Sequence, residues 1–166
     1  MAVPHQHRAS GPASVACGIV TVSDSRTEAT DDSGRTIRAL LEGAGHSVGF
    51  YAIVRDDADA IVEAVDRAVE RCAIVITNGG TGLTRRDVTV TTLAPRFEKA
   101  LPGFGELFRA LSFREVGSAA MLSGATAGVH RGRVVFCLPG SPDACRLAVE
   151  SLILPELGHI AGMMRR

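Results

Sequence analysis

Tryptophan is absent from the 166 residues, and tyrosine occurs only once, as Tyr51. With six phenylalanines as the remaining aromatics, the core must be mainly aliphatic. Lysine is also nearly absent: Lys99 is the only one, so almost all positive charge is arginine, whose planar fork suits bidentate phosphate contacts. There is no excess of either charge, since 18 Lys and Arg balance 18 Asp and Glu. That removes the electrostatic footprint of a general nucleic-acid binder. No apolar run approaches the roughly 20 residues that span a bilayer, and the first dozen residues lack the apolar stretch of a secretory signal. A soluble, cytoplasmic protein is expected. No two of Cys17, Cys72, Cys137 and Cys145 form a C-x-x-C pair, so they read as small apolar core residues in a reducing compartment. Also missing are a G-x-x-x-x-G-K-[ST] phosphate loop and a complete G-x-G-x-x-G. Gly80 and Gly82 are present, but Arg85 stands where the third glycine would fall. These absences disfavour nicotinamide dehydrogenase chemistry.

What is present is a packed globular composition, 46% hydrophobic, at a length suited to one domain. Residues 1–13 read as a flexible tail and 14–166 as a single domain. Val15 to Val22 is continuously apolar and reads as a strand. A helix is expected over Ser33 to Glu42, stopped by Gly43-Ala44-Gly45, then a strand over Val48 to Val54. Ala60, Ile61, Ala64, Val65, Ala68, Val69 and Cys72 recur at helical spacing, and Ala73 to Ile76 forms a third strand. Continuous apolar strands alternating with amphipathic helices imply an α/β fold, a mostly parallel sheet with helices on both faces. Further on, Thr89 to Lys99 reads as a helix broken by Pro102-Gly103, and Phe104 to Phe113 as another. Val134 to Leu138 reads as a strand after the turn His130-Arg131-Gly132, and a helix runs from Pro142 to about Leu154 before Pro155 kinks or restarts it.

In an open parallel sheet, ligands bind beyond the carboxyl ends of the strands. Four polar clusters fall at such ends: Ser23-Asp24, Asp56-Asp57, the loop Thr77-Asn78-Gly79-Gly80-Thr81-Gly82 through Arg86-Asp87, and Pro139-Gly140-Ser141-Pro142. Glycines let backbone N–H groups approach a ligand, and Arg85, Arg86 and Asp87 add charge beside them. That is the chemistry of a site for phosphate and a divalent cation. Each cluster also has a plainer reading, as turn or helix cap. Asp57 reads first as a cap, whereas spacing alone leaves Asp56 open between a cap and a functional carboxylate.

The chain resembles the MoaB/Mog family of molybdenum cofactor biosynthesis proteins, from about Cys17 to about Leu157. The resemblance rests on Thr21-Val22-Ser23-Asp24, Asp31-Asp32-Ser33-Gly34, Thr77 to Thr89, Leu101 to Glu106 with Phe108-Arg109, Leu122-Ser123, Ala127-Gly128 and Leu138 to Pro142. It implies a three-layer α/β/α molybdopterin-binding fold and Mg²⁺-dependent adenylyl transfer from ATP to molybdopterin. The molybdopterin phosphate is then the nucleophile, and pyrophosphate leaves. Carried over by position, Asp56 and Asp87 match the catalytic and metal-binding carboxylates. Gly79, Gly80, Thr81 and Gly82 match the phosphate- and nucleotide-binding loop, with Ser23, Asp24 and Arg86 as further substrate contacts. Ser123, Pro139, Gly140, Ser141 and Pro142 match the lining of the pterin and nucleotide pocket. The implied partners are molybdopterin, ATP, further copies of the chain in a trimer or hexamer, and other molybdenum cofactor biosynthesis enzymes. A pterin-binding assembly protein of the same fold, with weak or no catalysis, is the alternative. The chain departs from the family pattern at Arg55, Val90, Thr91 and Gly124. An arginine is usual at the last of these, so an anion contact is expected to be missing there.

Overall fold

The computed structural model describes residues 11–165. The tail expected over 1–13 falls mostly outside them. Gly11 and Pro12, which are described, run against Gly158. Strand β1 (Ala16–Val22) leads to α1 (Asp32–Gly43), β2 (Ser47–Val54), α2 (Ala58–Arg71) and β3 (Ile74–Asn78). The short α3 (Thr89–Leu93) and a 3₁₀ turn (Ala94–Arg96) follow, then β4 (Lys99–Ala100) and α4 (Pro102–Val116). A 3₁₀ segment (Gly117–Leu122) leads to β5 (Thr126–His130), β6 (Arg133–Leu138), α5 (Pro142–Ala148), a π turn (Val149–Ile153) and α6 (Leu154–Met163). The six-stranded sheet has the order β2-β1-β3-β6-β5-β4. Its first four strands are parallel, β5 pairs antiparallel with β6, and β4 pairs antiparallel with β5 at the edge.

The sheet is buried on both faces, which is why its central strands read as unbroken apolar runs. On one face Cys17, Ile19, Ile74, Ile76 and Phe136 pack with α1, α4 and the α5–α6 rod. On the other, Val20, Val22, Val75 and Val135 pack with α2 through Ile61, Val65, Ala68 and Val69. The mostly parallel three-layer architecture expected from the sequence is therefore the one observed. The four cysteines are free and buried, and burial pushes the thiols of Cys17, Cys137 and Cys145 up to about 12. They are core residues. No helix among the described residues is long and apolar enough to cross a membrane.

Three local expectations are corrected. The helix expected over Thr89 to Lys99 stops early, and Lys99–Ala100 is a strand. Glu98 N–H donates to the Val129 carbonyl at 2.7 Å and Leu101 N–H to Ala127 at 2.8 Å, so pairing with β5 outweighs helical propensity. Pro102 does not break a helix but opens α4, where its missing N–H is not needed. Strand β5 was not anticipated, because Gly128 and polar flanks weaken its pattern. In contrast, the restart near Pro155 is observed: the π turn separates α5 from α6 just before it.

Asp57, not Asp56, caps α2, its carboxylate accepting from Ala60 N–H at 2.9 Å. Asp57→Ala should therefore cost about 1 kcal/mol of unfolding free energy in urea titration, and Asp57→Asn should cost almost nothing.

Candidate functional site

Because β1, β2, β3 and β6 are parallel, their carboxyl ends share one edge of the sheet. A buried carboxylate organises that edge. Asp31 caps α1 by accepting from Gly34 N–H at 2.9 Å. Its other oxygen accepts from the hydroxyls of Thr21 (2.7 Å) and Tyr51 (2.6 Å). Asn78, the last residue of β3, donates to Thr21 Oγ1 at 2.9 Å, and Ser33 donates to the Gly140 carbonyl at 2.6 Å. Burial, and then the Asp31 carboxylate, push the Tyr51 hydroxyl well above its ordinary pKa, so it stays a donor. One network thus ties the ends of β1 and β3 to the middle of β2, and Ser33 of α1 ties the segment after β6 beside it. Asp31, Ser33, Tyr51 and Asn78 were not singled out as site residues from the sequence. The signal available for Asp31 was its place three residues before Gly34 at a helix start.

The glycine loop leaves β3 at a sharp angle. Gly79 (φ +95°) and Gly80 (φ +68°) occupy the left-handed region, and a Cβ on Gly79 would lie 2.3 Å from the Val22 carbonyl. Thr89 holds the loop by donating its hydroxyl to Gly79 O (2.9 Å) and its N–H to Gly80 O (3.0 Å). The N–H groups of Gly80 and Thr81 have no acceptor among the described residues. Consecutive unpaired N–H groups of this kind make an anion-binding concavity.

A cavity of about 450 Å³ lies against the loop, lined by Gly79, Gly80, Thr81, Gly82, Asp87, Ser123, Pro139 and Gly140, with Ala119 and Leu122. Its far wall is held by Arg109, which donates to the carbonyls of Ser123 (3.3 Å) and Ala125 (2.9 Å). Between them, Gly124 N–H donates to Thr81 O at 3.2 Å. Gly124 is not left-handed, yet a Cβ there would stand 2.5 Å from that same carbonyl. Replacing it with arginine would not simply add an anion contact, because the glycine loop would have to move first.

Charge collects at the rim. Asp87 accepts from Thr84 through both its hydroxyl (2.6 Å) and its N–H (3.0 Å), and the hydroxyl bond holds its carboxyl below the ordinary pKa. Asp24 accepts from Asp56 N–H at 3.1 Å and pairs with Arg86, and its pKa is likewise lowered, chiefly by the Asp56 N–H. Asp56 behaves in the opposite way: partial burial, then the Asp24 and Asp87 carboxylates, push its pKa up. Its carboxylate oxygen lies 3.3 Å from where a Gly80 Cβ would stand. No group of three metal-ligating side chains occurs among the described residues. A pair of carboxylates completed by substrate phosphates is, however, the usual arrangement for Mg²⁺.

The remaining candidates are placed differently. Ser23 turns back on its own loop, accepting from the N–H groups of Ser25 and Arg26. Ser141 accepts from Ala144 N–H to cap α5, and Pro142 opens that helix. Arg86 is largely exposed and pairs with Asp24 at the rim. His130 bridges to Asp66 at 2.7 Å on the sheet's outer side, far from this edge in the fold and structural in role.

The sign of the Asp56 shift gives a test. A carboxyl whose pKa is raised by folding ionises first in the unfolded chain, so stability falls as pH rises from 3.8 through the folded value. Asp56→Asn should raise the melting temperature at pH 7 and lose that advantage at pH below 3.8, as read by thermal scans at both pH values.

Comparison with known proteins shows the family. Residues 18–159 match the family described as "Probable molybdopterin binding domain". "Molybdenum cofactor biosynthesis protein B" of Bacillus anthracis is 49% identical over 164 residues, covering 97% of both chains. The protein of the same name from Bacillus subtilis (strain 168) is 46% identical, covering 97% of this chain and 96% of its own. Among solved structures, a molybdenum cofactor biosynthesis protein B superposes with TM-score 0.90 at 51% identity, over 93% of this chain and 98% of that one. A tungsten cofactor synthesizing MoaB from Pyrococcus furiosus superposes with TM-score 0.84 at 40% identity, over 93% and 99%. The chain belongs to the MoaB/Mog family of molybdenum cofactor biosynthesis proteins.

Proposed function

We propose that the chain is a molybdopterin adenylyltransferase, joining the adenylyl group of ATP to the terminal phosphate of molybdopterin in the cytoplasm. The observation that carries this reading is a cleft lined by unpaired loop N–H groups and Asp87, with Asp56, a carboxylate whose ionisation is opposed by its neighbours, beside Gly80 next to it. The first suits polyphosphate. The second suits a cation, because a nearby positive charge would relieve the repulsion among Asp24, Asp56 and Asp87. Asp56 and Asp87 are the residues that would hold Mg²⁺, which neutralises charge on the phosphates when bound.

The reaction needs positioning and charge neutralisation more than a covalent nucleophile. A molybdopterin phosphate oxygen bonds to the α-phosphorus of ATP, the bond from that phosphorus to the bridging oxygen breaks, and pyrophosphate leaves with the electron pair. Gly79 to Gly82 would hold the phosphates through backbone N–H groups. Ser123 and Gly140, across the cavity, would bound the pterin side. Arg109 and the Asp31 network would keep these walls at fixed separation.

With molybdopterin, Mg²⁺ and labelled ATP, the unmodified chain should form adenylylated pterin. Asp87→Asn should lower turnover about a hundredfold or more, on the scale of losing one preorganised charge-stabilising group. Asp56→Asn should lower it as well while raising thermal stability. Unimpaired turnover in both variants would exclude the carboxylate roles. Pterin binding without any adenylylation would favour the assembly-protein reading.

Self-association belongs to the same proposal. Met121 and Leu122, in the 3₁₀ segment after α4, are exposed at 76% and 50%, and Phe113 and Val116 of α4 are exposed as well. Such clustered apolar exposure fits a buried interface. Light scattering at micromolar concentration should report a trimer or hexamer, and a stable monomer would refute this.

A further inference from the structure

Asp24 stands apart from the other rim carboxylates because both of its oxygens are taken up inside the chain. One accepts from Asp56 N–H at 3.1 Å, and the other pairs with Arg86. These partners lie 32 and 62 residues away in the chain, on different loops. Asp56 belongs to the segment between β2 and α2, and Arg86 is the residue before Asp87 on the glycine loop. Among the described residues no hydrogen bond or ion pair joins those two loops directly. Asp24 is therefore the link between them. Its own segment is anchored in turn, since Ser23 N–H donates to the Val54 carbonyl at 2.8 Å. The resemblance places Asp24 and Arg86 among the substrate contacts, yet neither lines the cavity beside the loop. Charge explains why the link is an ion pair. The Asp87 carboxylate already acts on Asp56, and a third uncompensated acid would add to that repulsion. Asp24 and Arg86 together add no net charge.

We infer that Asp24, with Arg86, is a positioning residue: a neutral bracket that sets the separation of Asp56 and Asp87, and so how well the two carboxylates hold one cation between them. The inference rests on the function proposed above and deepens it. Asp24 touches neither nucleotide nor pterin; it acts through the two loops that carry the carboxylates. Two ligands of one cation must stand at a fixed distance, and Mg²⁺ tolerates little departure from octahedral geometry. Partners that orient metal ligands matter for this reason although they never touch the metal. Loops left free to drift lose reactivity even when every reacting group is retained.

The test removes the bracket as a pair in the full chain, Asp24→Ala/Arg86→Ala, so that the net charge of the rim is unchanged. Calorimetry measures ATP affinity in Mg²⁺ and in EDTA, and the ratio of the two gives what the cation adds. That ratio should fall about tenfold, the scale of losing a partner that orients metal ligands. ATP affinity in EDTA should stay within about twofold, a change too small to reflect a lost contact. Adenylyl transfer should fall in kcat while the KM for molybdopterin holds. In Asp24→Asn/Arg86→Gln, amide groups can remake the same hydrogen bonds without charge, and the ratio should return to within about threefold of the unmodified chain. Added to Asp56→Asn/Asp87→Asn, the alanine pair should lower turnover no further, because nothing is left to position. An unchanged ratio in the alanine pair would overturn this inference alone. An equal loss of ATP affinity in Mg²⁺ and in EDTA would also overturn it, by marking a direct substrate contact. Both side chains reach solvent, so the alanine pair should melt within about 3 °C of the unmodified chain, and loss of its fold would overturn the inference by making the bracket structural. No binding of ATP by the unmodified chain would overturn the proposed function and this inference together.

Discussion

The edge of the sheet that carries the site depends on the carboxylate of Asp31. A buried acid survives only when its oxygens are satisfied, and Asp31 accepts from a helix N-terminus and two hydroxyls. Those donors sit on α1, β1 and β2, and Asn78 extends the network to β3. Ser33, two residues along the capped helix, reaches the Gly140 carbonyl beyond β6. Strands β1, β2 and β3 and the segment after β6 are therefore held around one buried carboxylate and the helix that it caps. Rigid strand ends allow the glycine loop to take a left-handed path without the neighbouring segments giving way.

The loop itself shows how strain and satisfaction are combined. Its carbonyls are taken by Thr89 and Gly124, and its first N–H by Leu138, while the next N–H groups are left unpaired. A loop with both sets satisfied would be a closed turn, and a loop with neither would not hold its shape. Around it the carboxylates are unequal. Asp24 and Asp87 are stabilised as anions by N–H and hydroxyl donors, whereas Asp56 meets their charge without comparable donors. Groups pushed apart in this way are characteristic of functional sites, where local stability is given up for chemistry.

Much of this was legible in the sequence for one reason: parallel sheets force both the strand pattern and the place of the site. Ile74, Val75 and Ile76 are apolar without alternation because both faces are covered, and the polar clusters follow such runs because that is where the strands end. The clustering of Gly79 to Gly82, Asp87, Ser123, Pro139 and Gly140 around one cavity follows from that topology. Less legible were Lys99–Ala100 and Thr126–His130, strands created by pairing with each other and with β6 rather than by their own pattern.

By itself, the sequence determined the three-layer α/β architecture, the edge where polar loops meet, and the apolar fate of the cysteines. Each follows from local periodicity or from the cost of burying polar groups. Only the tertiary structure decided that Asp56 faces the loop, since spacing alone leaves it open between a cap and a functional carboxylate. It alone decided that Ser23 and Ser141 turn back on their own segments, and that Gly124 is pressed against the Thr81 carbonyl. The placements of Asp56 beside Gly80 and of Gly124 against Thr81 depend on contacts between residues remote in the chain, and no local pattern encodes such contacts.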